Sequence, residues 1–316
     1  MRLLLALALA LAAPHAGAQY PAKPVRLVVG FPAGGAADAV ARIMAQAISP
    51  GLGQPVIVEN KPGAESAIAA EAVARAAPDG YTILYATASN MAAVPALRRE
   101  LPYDPIASFA PIGIVGFGTI MLFTHPSLPA NSVEELIAYA RANPGKVDYG
   151  TGNPVSVVGH AQFLRAAGIS MVQVPYKGEA PLLPDLVAGR VQACFYATVA
   201  QALPFVKEGR LRALAVMLDR RSPLAPEVPT VAEAGIGAVS VRLWAGFAGP
   251  ARLPAELVQR LSREINAALA RPEIHEQLVR QGYDPHPMSP EEFGAYLKSQ
   301  LAVFRQTVRE NNIAVE

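Results

Sequence analysis

The chain has 316 residues, 27 Lys and Arg against 25 Asp and Glu, 52% hydrophobic residues and one cysteine. A balanced charge without a Lys/Arg run excludes a nucleic-acid or anionic-membrane surface, and one cysteine excludes an internal disulfide. A chain this long can bury enough apolar surface without staples, in about two lobes. Residues 1–18 read as a secretory signal peptide: Arg2 is basic, 3–13 is a Leu/Ala run, and Ala16-Gly17-Ala18 has the small-x-small pattern of a cleavage site. The run is too short for a membrane span, which needs roughly 20 apolar residues. A mature chain from Gln19, exported to the periplasm without a lipid anchor, is the expectation.

The mature chain opens with strand, turn and helix. Residues 25–29 are β-rich, Phe31-Pro32-Ala33-Gly34-Gly35 breaks the strand, and Val40, Ile43, Met44 and Ala47 share one helical face. Strands over 55–59 and 81–85 flank an Ala-rich helix over 67–77, so a parallel sheet with helices on its faces is expected. The pattern then restarts. Residues 112–124 form a long β-type stretch interrupted by Gly116 and Gly118, and Ser132 with Glu135 reads as a capping box. A helix runs through His160 to Ala167. Strands follow at 171–176, 191–196 and 211–217, with short helices at 181–188 and 204–208. A strand from Val239 runs through Trp244 and Phe247. The tail is helical, with Leu257, Val258, Leu261, Ile265 and Leu269 on one face. Ser289-Pro290 starts a last helix carrying a Phe293, Tyr296, Leu297, Leu301, Phe304 stripe.

One α/β run, a second, and a helical return describe two lobes with two crossings, expected at Gly116 and Gly118 and at Trp244 to Gly249. Lobe 1 is expected over 19–121 plus 246–316 and lobe 2 over 122–245, with a hinge at the crossings and a ligand cleft between the lobes.

The 31–35 turn follows a strand and opens a helix. Its glycines allow close backbone approach, and the helix start offers N–H groups and a positive dipole end to a carboxylate or phosphate; a tight turn made only for packing fits the same residues. Asp38 in the first helical turn complements that dipole. The turn does not spell G-x-G-x-x-G and no Walker lysine follows, so nucleotide binding is rejected. Thr151-Gly152-Asn153 to Ser156 is a second loop of small and hydroxyl residues after a strand, and His160 lies one helical turn past Ser156. No G-x-S-x-G accompanies them, so a hydrogen-bonding or structural histidine is favoured over a catalytic base. His125, His275 and His286 have no metal-ligand spacing, and neither a metal nor a cofactor is expected. Lys177, ending a strand, and Trp244, at a crossing, are left open as ligand contacts.

Together these pieces resemble the Bug family, the TctC-like solute receptors of tripartite tricarboxylate transporters. The resemblance is carried in order by Val29-Gly30-Phe31-Pro32-Ala33-Gly34-Gly35 with Asp38 and Arg42, Val58-Glu59-Asn60-Lys61-Pro62-Gly63-Ala64, Pro78-Asp79-Gly80-Tyr81-Thr82, Val174-Pro175-Tyr176-Lys177-Gly178, Gly209-Arg210-Leu211-Arg212-Ala213-Leu214-Ala215, and Val228-Pro229-Thr230-Val231-Ala232-Glu233-Ala234-Gly235. It implies a type II periplasmic-binding-protein fold and a non-enzymatic monomer. That monomer would deliver an amino acid, a di- or tricarboxylate or an aromatic acid to membrane permease subunits. It implies ligand contacts from Phe31, Pro32, Ala33, Gly34 and Gly35, from Thr151, Gly152, Asn153, Ser156 and His160, and from Tyr196, Ala197 and Thr198 after the strand at 191–196. Two departures stand out. Pro154 and Val155 interrupt the usual Gly/Ser run before the histidine, and Glu65-Ser66 stand where a further glycine is usual. A periplasmic sensor for a signalling partner and a cryptic hydrolase using Ser156 and His160 are the alternatives.

Overall fold

The computed structural model describes residues 20–236 and 239–315; the expected signal segment 1–18 lies outside them. Two sheets organise the chain. The first has six strands and the second has five.

In the first sheet β1 (Val25–Val29) lies between β2 (Val56–Asn60) and β3 (Thr82–Thr87), parallel to both. Parallel neighbours need crossover helices. These are α1 (Ala36–Leu52) and α2 (Ala67–Ala74). The helical face expected of α1 is the one that packs: Val40, Met44 and Ala47 are buried, joined by Ala41, Ile48 and Leu52, while Ile43 is partly covered. Gly53 takes a left-handed conformation, and its N–H bonds back to the carbonyls of Ser49 and Pro50, closing the helix. Beyond β3 a wide π-type turn at 89–93 leads into the short α3 (Val94–Leu97).

The long β-type stretch is divided between the sheets. β4 (Phe109–Gly118) belongs to the first sheet and β5 (Met121–Thr124) to the second, with only Thr119 and Ile120 between them. Gly116 and Gly118 therefore lie inside β4 rather than at the crossing itself. The second sheet repeats the earlier plan. β6 (Asp148–Thr151) lies between β7 (Val172–Pro175) and β8 (Ala193–Tyr196), parallel to both. Helices α4 (Val133–Ala142), α5 (Pro154–Ala167), α6 (Glu179–Val187) and α7 (Val199–Lys207) connect its strands, and β5 pairs antiparallel with both β8 and β9 (Arg212–Val216). Helices α6 and α7 begin earlier than the sequence suggested, because Pro181 and Pro184 in one and Pro204 in the other lie within them rather than at their starts.

The chain returns to the first sheet in β10 (Leu243–Pro250), which inserts between β3 and β4, antiparallel to both. Strand structure begins at Leu243, not Val239. Helices α8 (Ala255–Leu269), α9 (Pro272–Arg280) and α10 (Pro290–Glu310), with the edge strand β11 (Tyr283–Pro285), complete the fold. The Ser289 hydroxyl caps the Glu292 N–H and the Glu292 carboxylate accepts from the Ser289 N–H, a complete capping box. At α4 the box is incomplete: Ser132 accepts from the Glu135 N–H, but the Glu135 carboxylate accepts from Asn131.

Leu243 pairs with Gly118 and Trp244 with Phe117, so the outgoing and returning crossings run side by side. Trp244 is fully buried, with edge contacts to Phe293 and Tyr296; it is core, not a ligand platform. Gly116 is needed where β11 closes on β4, since a Cβ there would stand 2.2 Å from the Asp284 carbonyl oxygen. Gly116→Ala must push β11 away, and by the usual cost of overpacking it should lose roughly 1–3 kcal/mol. Urea unfolding at constant slope should reveal this as a lower midpoint.

Candidate functional site

The ends of the parallel strands from both sheets face a cleft of about 1300 Å³. Such strand ends, with helix starts beyond them, are where open α/β sheets bind ligands. The first sheet contributes Gly30, Phe31 and Pro32 after β1, Pro62 to Ser66 after β2, and Ser89 after β3. The second contributes Thr151 to Pro154 after β6 and Pro175 to Gly178 around the end of β7. The tail residues Asn311 to Ala314 complete the wall.

The 31–35 corner is held from behind. Asp38 accepts from the Gly34 N–H at 2.9 Å, from Arg42 Nε at 2.9 Å and from Asn60 Nδ2 at 2.8 Å, and Asn60 also donates to the Phe31 carbonyl. Burial opposes the charge on Asp38, but the bonds from Arg42, the Gly34 N–H and Asn60 outweigh it and lower its pKa. Asp38 thus organises the loop as well as complementing the helix dipole. Phe31 and Pro32 line the cleft, and Ala33, Gly34 and Gly35 are exposed beside it. Gly35 is the N-cap of α1 with no side-chain cap, so the orphan N–H groups of that helix start have no internal acceptor.

The second loop is built differently. The Thr151 hydroxyl accepts from Gln173 and lines the cleft beside Gly152. Asn153 caps α5 by accepting from the Ser156 N–H, and the Ser156 hydroxyl donates to the Asn153 carbonyl. Pro154 occupies the first helical position, where its missing N–H breaks no helical bond. Ser156, His160 and Tyr196 do not face the cleft; all three are buried. His160 has both ring nitrogens engaged, Nδ1 with the Ser156 carbonyl at 2.8 Å and Nε2 with the Phe195 N–H at 3.1 Å, and it stacks on Tyr149. That pattern fixes a neutral ring with the proton on Nδ1. Ser156 and His160 therefore form no nucleophile–base pair.

Ala197 and Thr198 also lie off the cleft wall, and their donors are taken by Glu179. One oxygen of Glu179 accepts from Asn153 Nδ2 at 2.7 Å and the Ala197 N–H at 3.0 Å. The other accepts from the Thr198 N–H at 2.9 Å and the Thr198 hydroxyl at 2.6 Å. Burial raises the Glu179 pKa, and the bonds from Thr198, Ala197 and Asn153 only partly offset this. Sequence reasoning missed Glu179, although an acid directly after the Tyr176-Lys177-Gly178 strand end was its visible signal. At the 64–66 turn, where Glu65-Ser66 stand in place of the usual glycine, Ala64, Glu65 and Ser66 all have positive φ, a conformation that favours glycine. Ser66 accepts from the buried Asn90 and sits so close to Gly30 that a Cβ on Gly30 would collide with its hydroxyl. Lys177 lines the cleft and is exposed.

Residues 40–313 match the model of the tripartite tricarboxylate transporter family receptor, TctC. The chain belongs to the TctC family. It is 33% identical to protein BugT of Bordetella pertussis over 304 residues, covering 95% of this chain and 93% of BugT. The solved structure of the periplasmic binding protein BugD superposes with a TM-score of 0.80 at 32% identity, covering 93% of this chain and 99% of BugD. The R. palustris Rpa4515 structure with adipate superposes with a TM-score of 0.83 at 32% identity, covering 93% of this chain and 99% of that one. This TctC chain therefore has the two-lobed α/β periplasmic-binding-protein fold and is a solute-binding receptor, not an enzyme.

Burial pulls the His160 pKa down to about 3, against a weak upward pull from its bond to the Ser156 carbonyl. The unfolded chain takes up this proton near pH 6.5 and the folded chain does not. The stabilising contribution is therefore complete above pH 6.5 and is lost as pH falls towards 3. At pH 5 the loss should be about 2 kcal/mol. Urea unfolding of wild type and His160→Gln from pH 7.5 to 5 should give a steeper acid loss in wild type; parallel slopes would contradict it.

Proposed function

We propose that this TctC-family receptor works in the periplasm, where it captures a small carboxylate between its two lobes and delivers it to the membrane permease subunits of a tripartite tricarboxylate-type transporter. The observation that carries this reading is the uncapped start of α1 beside the cleft. Its N–H groups and the positive end of the helix dipole suit one carboxylate. The Asp38 carboxylate does not compete there, because its oxygens are held by Gly34, Arg42 and Asn60 behind the loop. Thr151 and Gly152 face the corner's ligand from the second lobe, and the adipate in the Rpa4515 structure supports a carboxylate as the ligand class. Closure is a rotation of the lobes about the paired crossings when a ligand bridges both walls.

The corner can be tested at one residue. A Cβ on Gly35 would meet only the Pro32 carbonyl, at 3.6 Å, so Gly35→Val should fold. Gly34→Pro is a poorer test: Gly34 has φ +83° and its N–H is bonded to Asp38, so proline would break the loop itself. The valine branches should deny the carboxylate one or two charge-assisted hydrogen bonds, each worth roughly 1.5–3 kcal/mol, and weaken binding by about one to two orders of magnitude per bond. A panel of amino-acid, dicarboxylate and aromatic-acid ligands, ranked by calorimetry on the wild type, supplies the ligand for comparison. Native affinity in a Gly35→Val protein with an unchanged melting temperature would move the carboxylate away from this corner.

A further inference from the structure

Resting on the reading of the cleft as a carboxylate receptor, we infer that Glu179 is the chain's own occupant of a second carboxylate subsite, on lobe 2, and that the receptor therefore selects ligands with no anionic group at their lobe 2 end. Three helix starts converge on this side chain. Asn153 caps α5, Glu179 is the first residue of α6, and Thr198 immediately precedes α7, its hydroxyl given to Glu179 rather than to the helix. They follow β6, β7 and β8, which are neighbours in the sheet, so their starts are brought to one place by topology. Each oxygen of Glu179 receives two donors, and all four are amide or hydroxyl groups. No ion pair among the described residues includes Glu179, so it is not held as a salt-bridge partner. This is how a receptor holds a free carboxylate: by amide and hydroxyl dipoles at helix starts, without a cation. Gly152 makes the arrangement possible, since a Cβ there would lie 2.9 Å from the Glu179 nitrogen.

A ligand carboxylate aimed at these donors finds them taken. One stopping a few ångströms short meets a like charge in a partly desolvated site, which should weaken binding on the order of 100-fold. The class of ligand that fits is a monocarboxylate whose charged end lies at the 31–35 corner and whose other end is not anionic. The adipate in the Rpa4515 structure carries two carboxylates, so the present chain should differ from that relative in specificity.

Removing the occupant should expose the subsite. In Glu179→Ala, the four donors lose their acceptor and the protein should be less stable than wild type. Millimolar formate should restore part of the lost melting temperature saturably, beyond an equal concentration of chloride and beyond any formate-specific rise in wild type, whose 31–35 corner is the same. Adipate should bind Glu179→Ala at least roughly tenfold more tightly than wild type. A folded Glu179→Ala protein with no formate-specific gain overturns the assignment, as does adipate binding no tighter than in wild type. If Glu179→Ala does not fold, Glu179→Gln carries the adipate comparison, because it keeps the side-chain shape and removes the charge; no gain in adipate affinity then overturns the assignment. The formate response gained in Glu179→Ala over wild type reads lobe 2, because the two proteins share the 31–35 corner. Its failure beside a normal Gly35→Val result removes the Glu179 assignment and leaves the carboxylate corner standing, and the opposite pair of results does the reverse.

Discussion

The antiparallel pairing of β4 with β10 is the constraint on which the molecule depends. Gly118 ends one strand and Leu243 opens the other, and the two are partners in the ladder. The chain therefore leaves the first sheet and re-enters it through one hydrogen-bonded ribbon. The second sheet continues from it: the Met217 N–H donates to the Ile120 carbonyl, and the Thr119 N–H donates to the Gly282 carbonyl. Arg220 and Asp284 add an ion pair across the same region. The cleft and its two walls follow from that placement.

Both walls obey the same rule of chemistry. Parallel strands end where helices begin, and helix beginnings present unsatisfied N–H groups. The chain meets part of this demand with its own carboxylates. Asp38 ties the 31–35 loop to Arg42 and Asn60 from behind, and Glu179 ties three helix starts together. The two differ in electrostatics. Asp38 has a guanidinium partner that helps keep it charged, whereas Glu179 has only dipoles and is penalised by burial. Conversely, His160 is not an actor in the cleft. Bridging the Ser156 carbonyl and the Phe195 N–H, it locks α5 to β8 behind the wall that Thr151 and Gly152 present.

Much of this was legible in the sequence because local signals agreed with the global fold. The β1–turn–α1 unit was readable from its β-rich run, its glycines and the Val40, Met44, Ala47 face, and Ser289-Pro290 marked the start of α10. Other features depended on long-range contacts with no local trace. Gly116 and Gly118 marked a break within 112–124, but nothing local places the change of sheet at Thr119 and Ile120 rather than at the glycines. The prolines in α6 and α7 hid the starts of those helices. Ala64, Glu65 and Ser66 carry residue types that do not advertise positive φ. Glu179 showed only as an acid after a strand end; what it holds was hidden because its partners, Asn153, Ala197 and Thr198, lie 26, 18 and 19 positions away. Ser156 and His160 were misleading for the opposite reason: their spacing put them on one helix face, but that face turned inward.

The late insertion of β10 also sets an order of assembly. All five strands of the second sheet lie between residues 121 and 216, so every partner that sheet needs is present in one continuous stretch. The first sheet has no such independence. β10 separates β3 from β4, so β3 lacks its second neighbour until residue 250 exists, and β4 lacks both of its own until β11 ends at residue 285. Contacts so distant in sequence carry the larger loop-closure cost and form late. The cleft wall closes later still, with residues 311–314. A partly synthesised or truncated chain can therefore hold every strand of the second sheet and still lack a complete cleft wall, which closes only with the residues that follow the final helix.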